Sequence, residues 1–177
     1  MIAAMPEGLR DYLTRKAAAL AKTASRLASG DAARETISAE CQASDVTGVR
    51  RIQIRDFQIV SDSGPGFGGQ SLGPSSPELL LGVLASCLTH VYLIGAAQRG
   101  ITLDDVRVRF EAENNDARFL GLDTADPDVP FNIRGRVELK TDADPAAIAA
   151  LHEYAVNNCP LTRLMREPQT VSITISA

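Results

Sequence analysis

The sequence has 177 residues, of which 45% are hydrophobic and 23% are charged. This is the composition of an ordinary globular protein with a buried core, and it argues against a disordered chain. The formal net charge is -4, the isoelectric point is near 5.2, and no block of Lys and Arg occurs. The charge therefore argues against a protein that binds nucleic acid.

Cysteine usage indicates a reducing compartment. The three cysteines, at 41, 87 and 159, are too few and too odd in number for a disulfide framework. Met1 is not followed by the basic and then apolar segments of a secretory signal. We therefore expect a cytoplasmic protein with reduced thiols. Each cysteine is first interpreted as a small apolar side chain that packs in the core.

The first segment predicts an amphipathic helix. Apolar residues recur three or four positions apart between Pro6 and Leu27, and Ser29-Gly30 ends the pattern. A mitochondrial presequence has a similar periodicity, but Glu7 and Asp11 do not suit its acid-poor composition, so a docked helix is favoured. We assign residues 1–35 to an N-terminal helical extension and 36–177 to the main domain.

Two alternating runs follow the extension. The run 37–43 and the run 52–59 flank a turn at Asp45-Val46-Thr47-Gly48, which predicts an antiparallel hairpin. Cys41 falls on its apolar face, where its expected role is core packing. The alternation slips near Asp56, which predicts a β-bulge.

The loop 61–77 contains five glycines and three prolines. Its residues 64–69 match the letters of a dinucleotide-binding fingerprint, G-x-G-x-x-G. That fingerprint requires a helix opening at its third glycine, whereas 70–76 continues the loop with another proline. No Gly-Lys-Ser/Thr follows, so nucleotide binding is disfavoured.

A run without formal charge extends from Leu79 to Gln98, in a helix predicted to begin at Ser76-Pro77 and to end at Arg99-Gly100. Twenty helical residues span about 30 Å, which is the thickness of a bilayer core. Polar residues in the middle, His90 among them, and flanks without a positive bias argue against a membrane span. The run instead predicts a helix buried on nearly every side, with His90 as a core residue, at the centre of a homodimer.

The rest of the chain completes an α+β pattern with antiparallel sheets. Strands are predicted at 106–112 and 131–139 from clean two-residue alternation, and at 171–175. Asp144-Pro145 opens one helix and Cys159-Pro160 opens a short one. This order leaves little room for parallel winding and indicates one domain.

The sequence around Cys87 and Cys159 predicts which of these two thiols is the more reactive. Cys87 lies several turns inside the long helix, where burial raises the pKa of a thiol. Cys159 precedes Pro160 at a helix start and has Arg163 one turn away, and both features lower the pKa of a thiol. On this reasoning Cys159 is the more reactive cysteine.

Three segments together resemble the OsmC/Ohr family: Gly-Pro-Ser-Ser-Pro-Glu-Leu-Leu-Leu-Gly-Val-Leu-Ala-Ser-Cys at 73–87, Arg99-Gly100, and Cys159-Pro-Leu-Thr-Arg-Leu at 159–164. The resemblance covers about 36–177 and implies an intertwined α+β homodimer that reduces organic hydroperoxides at its subunit interface. It implies that Cys87 is the peroxidatic thiol and Cys159 the resolving one, which reverses the order given by the pKa argument.

The resemblance also implies the surroundings of the thiols. An arginine of the first hairpin, Arg50 or Arg51, would stabilise the thiolate of Cys87. In the hydroperoxide reductases a glutamate ten residues before the cysteine orients that arginine, but Pro77 stands there and Glu78 is one residue later. Glu78 either orients the arginine or only supplies charge to the first helical turn, and the chain is closer to the broader OsmC-like group.

The implied reaction requires no bound cofactor or metal. An external dithiol, either a small thiol or a lipoylated protein, would reopen the disulfide formed by Cys87 and Cys159. An apolar pocket with aromatics such as Phe67 would favour alkyl or lipid peroxides. The alternative is a noncatalytic dimeric OsmC-like protein that binds a small hydrophobic ligand. Neither interpretation includes nucleic acid or a membrane as partner.

Overall fold

A computed structural model of the chain describes residues 8–31, 33–44 and 47–175. They divide into two units, one from the described parts of Met1–Ala24, Leu84–Arg109 and Gly135–Ala177, the other from Ser25–Val83 and Phe110–Arg134. Runs of strands and runs of helices follow one another in the expected α+β pattern. In chain order they are α1 (Leu9–Ala28), β1 (Glu40–Ser44), β2 (Val49–Ile54), β3 (Phe57–Ser61), α2 (Ser76–Arg99), β4 (Asp105–Glu113), β5 (Phe131–Lys140), α3 (Pro145–Asn158) and α4 (Pro160–Leu164), with short 3₁₀ turns at Pro65–Phe67 and Ala117–Leu120.

The first sheet is antiparallel and has the strand order β1-β2-β3. The predicted bulge near Asp56 is wrong, because Ile54 pairs with Phe57 across a two-residue turn at Arg55-Asp56. Arg55 has a φ of 52°, a left-handed conformation that reverses the chain. The slip in the alternation therefore marked a second hairpin. Of the first predicted turn, Asp45 and Val46 lie outside the described residues.

One face of this sheet is apolar and open. Directly opposed residues share a face, so Cys41 lies beside its partner Ile52, which pairs in turn with Ile59. Cys41 is exposed, as are Ile59 and Phe57. The prediction that Cys41 fills a core is therefore wrong, because nothing in the described part of the single chain covers this face.

The helix α2 has the predicted ends and supplies much of the core of the first unit. Gly100, with a φ of 65°, ends it, and its buried residues are Leu84, Leu88, Val91, Tyr92, Gly95, Ala96 and Ala97. A Cβ at Gly95 would lie 2.6 Å from the Tyr154 ring and 2.8 Å from Leu151, so the glycine permits close approach of α3. By length and composition alone α2 is also able to cross a membrane.

Part of α2 remains uncovered in the single chain. Val83, Ser86 and His90 are exposed, and they share one side of the helix. His90 is therefore not a core residue of the single chain, and its burial in a homodimer stays a prediction. Partial desolvation and the nearby charge of Lys16 hold the pKa of His90 below its ordinary value.

The predicted N-terminal helix forms as α1, and it packs within the first unit. The Arg10 guanidinium contacts Asp104 through Nε at 2.6 Å and Asp142 through Nη1 at 3.2 Å. Leu13, one turn later, is buried. An exposed ionic contact and one buried leucine thus connect the first turns of α1 to the rest of the first unit.

The predicted C-terminal strand is wrong for the single chain. Residues 171–175 form no strand, and Val171, Ile173 and Ile175 are 76%, 89% and 94% exposed. Alternation specifies which side chains share a face, but a strand also requires a neighbouring backbone to accept and donate hydrogen bonds. Among the described residues this segment has no such neighbour.

Candidate active site

Two thiols that are 72 positions apart in sequence meet in the first unit. The Sγ atoms of Cys87 and Cys159 are 3.6 Å apart. Cys87 lies in the middle of α2, whereas Cys159 joins α3 to α4 in an extended conformation. Its N–H still bonds to Ala155, and Pro160 then starts the next helix, so the chain changes direction at the cysteine.

The two thiols differ in electrostatic environment. Burial raises the pKa of Cys87, and a hydrogen bond from the Leu161 amide only partly offsets this. Burial also acts to raise the pKa of Cys159, but hydrogen bonding with Thr162, with Cys87 and with the Leu161 amide lowers it below its ordinary value. Because the thiols are adjacent they titrate as a pair, with the first negative charge favoured on Cys159.

The two thiols also differ in access. Cys159 has no exposed surface, whereas Cys87 is partly exposed. A molecule from solvent therefore reaches Cys87 first, although Cys159 has the lower pKa. An approach of about 1.5 Å would bring the sulfurs to disulfide distance. Within the described ranges no group of three or more His, Cys, Asp and Glu side chains is placed to hold a metal ion.

The structure distinguishes the two candidate arginines of β2, which lie in the second unit. Arg50 is half-buried, and its Nη1 and Nη2 donate to Ser63 at 3.3 Å and to Ser61 at 3.2 Å. Its Nε is buried and has no hydrogen-bond partner among the described residues. Arg51 is exposed on the other face of the sheet, since successive residues of a strand alternate.

Glu78 lies in the first turn of α2 and caps it. Its carboxylate accepts the N–H and the hydroxyl of Ser75, each at 2.7 Å, and these hydrogen bonds hold the pKa of Glu78 below its ordinary value. The bond from the Ser75 N–H to the carboxylate is the Glu half of a capping box, with Ser75 rather than Ser76 as the cap. In the described part of the chain Glu78 forms no ion pair with an arginine.

Sequence reasoning missed Asp62, which is 2% exposed beside Arg50. Its carboxylate accepts the backbone N–H groups of Ser63 at 2.8 Å, Gln70 at 2.9 Å and Leu72 at 3.1 Å. These bonds, together with the charge of Arg50, hold the pKa of Asp62 below its ordinary value. The available signal was an aspartate at the start of a Gly-rich loop, where its short side chain binds loop amides.

An apolar groove also lies in the first unit, between β5 and α3. Its volume is about 530 Å³, and its lining residues are Tyr92, Gly135, Val137, Leu139, Pro145, Ile148, Ala149 and His152. The Tyr92 hydroxyl and His152 Nδ1 are 2.5 Å apart. Burial raises the pKa of Tyr92 to about 12, so the hydroxyl keeps its proton and forms a hydrogen bond with the imidazole.

The sequence profile of one family, the OsmC-like protein, matches residues 68–174. The chain belongs to the OsmC-like family. The profile match covers α2 and both cysteines of the pair, and it confirms the resemblance drawn from the motifs. A search of curated proteins finds no match.

Solved structures agree with this OsmC-like assignment. An OsmC-like protein from Mycoplasma pneumoniae is 15% identical with a TM-score of 0.63, over 75% of this chain and 88% of that one. An organic hydroperoxide resistance protein OsmC from Legionella pneumophila is 18% identical with a TM-score of 0.55, over 76% and 92%. An OsmC-like protein of unknown function from Vibrio cholerae is 12% identical with a TM-score of 0.56, over 73% and 93%. These similarities establish the fold.

Proposed function

We propose that this OsmC-like protein is a thiol-dependent peroxidase that reduces organic hydroperoxides, alkyl or lipid, to alcohols. The observation that carries the proposal is the pair of Cys87 and Cys159, whose sulfurs are 3.6 Å apart with only the first accessible from solvent. Such a pair fits a peroxidatic thiol next to its resolving thiol. The description of the Legionella relative as an organic hydroperoxide resistance protein supports the same class of substrate.

The proposed reaction has two steps. The Cys87 thiolate attacks the outer oxygen of the hydroperoxide, the O–O bond breaks, and the alkoxide takes a proton to leave as an alcohol. Cys87 is then a sulfenic acid. The Cys159 thiolate attacks its sulfur, hydroxide leaves as water after protonation, and the disulfide forms. An external dithiol, free or on a lipoylated protein, returns both electrons by disulfide exchange.

The pKa difference between the thiols favours attack of Cys159 on the sulfenic acid but disfavours the initial attack of Cys87 on the peroxide. The low pKa of Cys159 favours the thiolate that attacks the sulfenic acid. Cys87, in contrast, requires a cation to lower its raised pKa. We assign this role to Arg50 because its buried Nε has no hydrogen-bond partner among the residues that the structure describes, and a buried charged donor without an acceptor is costly. The thiolate would be that acceptor.

The working form that we propose is an intertwined homodimer. The open apolar face of the first sheet and the uncovered side of α2 support it, because such surfaces are ordinarily buried against a partner. In the homodimer Arg50 would serve Cys87, and an apolar pocket would select alkyl or lipid peroxides. We propose a cytoplasmic location and no bound cofactor.

A peroxide-consumption assay tests the activity. Purified protein with a dithiol should consume cumene hydroperoxide, and Cys87→Ser should stop turnover. Cys159→Ser should accumulate the Cys87 sulfenic acid, detected by dimedone labelling. The matched control is Cys41→Ser, because that exposed thiol has no part in the reaction. Equal inertness of wild type and Cys87→Ser, or a peroxide-induced disulfide to Cys41 in peptide mass spectrometry, would overturn the proposal.

The second candidate function is noncatalytic binding of a small hydrophobic ligand, and the groove between β5 and α3 favours it. Its volume of about 530 Å³ and apolar lining are typical of a ligand site, and His152 presents a polar group at its rim. A fluorescent fatty acid should then bind Cys87→Ser as tightly as wild type. Ile148→Asp should abolish this binding, whereas retained binding in Ile148→Asp would exclude the groove.

A further inference from the structure

The Arg50 guanidinium is held by the two residues that flank Asp62. Ser61 accepts from Nη2 and donates its own hydroxyl to the Pro74 carbonyl at 2.9 Å, while Ser63 accepts from Nη1. Each hydroxyl thus links the guanidinium to the loop that begins at Asp62. The position of Arg50 depends on the conformation of this loop.

Asp62 fixes that conformation. Its three backbone hydrogen bonds join residue 63 to residues 70 and 72, so the carboxylate closes the loop on itself. The packing inside is tight, since a Cβ at Gly69 would lie 2.0 Å from the Ser63 carbonyl oxygen and 2.9 Å from Asp62 Oδ1. Asp62 is 2% exposed, so its carboxylate is a buried charge, and the positive charge of Arg50 is close enough to favour it.

We propose that Asp62 is the positioning residue for the Arg50 guanidinium, and that it takes the part which the resemblance assigns to a carboxylate at the start of the long helix. Glu78 is bonded to Ser75, and within the described ranges the Nε of Arg50 has no acceptor, so this donor is the one that we assign to the thiolate. The inference rests on the proposed function for what Arg50 does, and on hydrogen bonds of the described residues for how Arg50 is held.

The substitution Asp62→Asn distinguishes two effects on the Cys87 thiol: the loss of a positioned Arg50 and the loss of a negative charge. Removing a negative charge near a thiol, with no other change, lowers the pKa of that thiol. Releasing Arg50 has the opposite effect, because the thiolate loses its cation. Asn also offers only one acceptor oxygen to the loop amides, so the loop is loosened. The sign of the pKa change at Cys87 therefore reports which effect operates.

The thiol experiment uses full-length protein carrying Cys41→Ser and Cys159→Ser, so that Cys87 is the remaining thiol. Its pKa is measured from the pH dependence of alkylation by iodoacetamide. Asp62→Asn should raise this pKa by about 1, and Arg50→Ala should raise it by a similar amount. The double variant should match Arg50→Ala, since Asp62 acts through the arginine. The control Glu78→Gln, which retains an acceptor oxygen for the Ser75 N–H, should leave the pKa unchanged.

With both catalytic cysteines present, Asp62→Asn should reduce kcat/KM for cumene hydroperoxide about tenfold, the equivalent of a pKa change of 1. Ser63→Ala removes only the acceptor of Nη1 and should give a smaller loss in the same direction. It also provides a variant that folds if Asp62→Asn does not. A lowered pKa of Cys87 in Asp62→Asn, or additive effects of Asp62→Asn and Arg50→Ala, would overturn the positioning role.

A readout on the arginine itself separates this inference from the proposed function. In ¹H–¹⁵N NMR spectra, the Nε–H of a held, buried guanidinium exchanges slowly with solvent, and Asp62→Asn should speed its exchange at least tenfold. An unchanged exchange rate would refute the positioning role whatever the enzyme does. Faster exchange in a protein whose wild type does not consume peroxide would refute the peroxidase proposal and leave the positioning role intact.

Discussion

Oxidation of Cys87 and Cys159 to a disulfide should stabilise the protein by an amount that depends on the length of the loop between them. The disulfide of Cys87 and Cys159 would close a loop of 72 residues. The chain-entropy relation gives a stabilisation of about 4 kcal/mol at 25 °C for a loop of that length. The sulfurs have to approach from 3.6 Å to about 2.05 Å, and the resulting strain reduces the gain to about 2–4 kcal/mol. For a chain of this size, the midpoint of thermal unfolding should rise by about 5–15 °C.

The measurement is thermal unfolding by circular dichroism, with and without one equivalent of cumene hydroperoxide, at one fixed protein concentration because a dimer's stability depends on it. Peptide mass spectrometry verifies the disulfide in the same sample. Cys159→Ser treated in the same way is the control and should show no rise. An oxidised protein that carries the disulfide but unfolds at or below the temperature of the reduced protein would refute the reasoning, since the bond would then form only by distorting the native structure.

Two further predictions concern the core and the N-terminal helix. Leu151→Ala should lower the free energy of unfolding in urea by about 2–5 kcal/mol, because Leu151 is fully buried against α2. The control Leu122→Ala, at an exposed leucine, should change this free energy by less than about 0.5 kcal/mol. Equal effects of the two substitutions would contradict this packing. Arg10 holds the pKa of Asp104 below the ordinary 3.8, and the Thr102 hydroxyl together with Arg10 does the same for Asp142. Their contribution to stability is therefore present above pH 3.8 and is lost as the pH falls through the lowered values. Hydrogen exchange of α1 should therefore accelerate in acid, and Arg10→Ala should show the acid rate already at pH 7; a variant with wild-type exchange would show that the ion pairs do not hold the helix.

Local signals in the sequence were sufficient for the helices and for the family. The apolar run ended at Gly100, the aspartate before Pro145 capped α3, and the motifs around Cys87 and Cys159 matched the OsmC-like pattern. These features depend on residues within a few positions of one another, and capping and periodicity are local properties. The same reasoning placed a hairpin in the first sheet but took the turn at Arg55 for a bulge, because both break a two-residue alternation.

What the sequence by itself determined is the α+β class, two thiols with a possible chemical role, and a short list of charged residues expected to serve them. Tertiary structure decided that the thiols lie 3.6 Å apart, that Cys159 is the buried one, that Arg50 rather than Arg51 is held inward, and that Asp62 rather than Glu78 lies beside it. The physical reason is that proximity between distant positions, and exclusion from water, follow from how the elements pack. Alternation along a strand predicts a face for Cys41, but only packing decides whether anything covers that face.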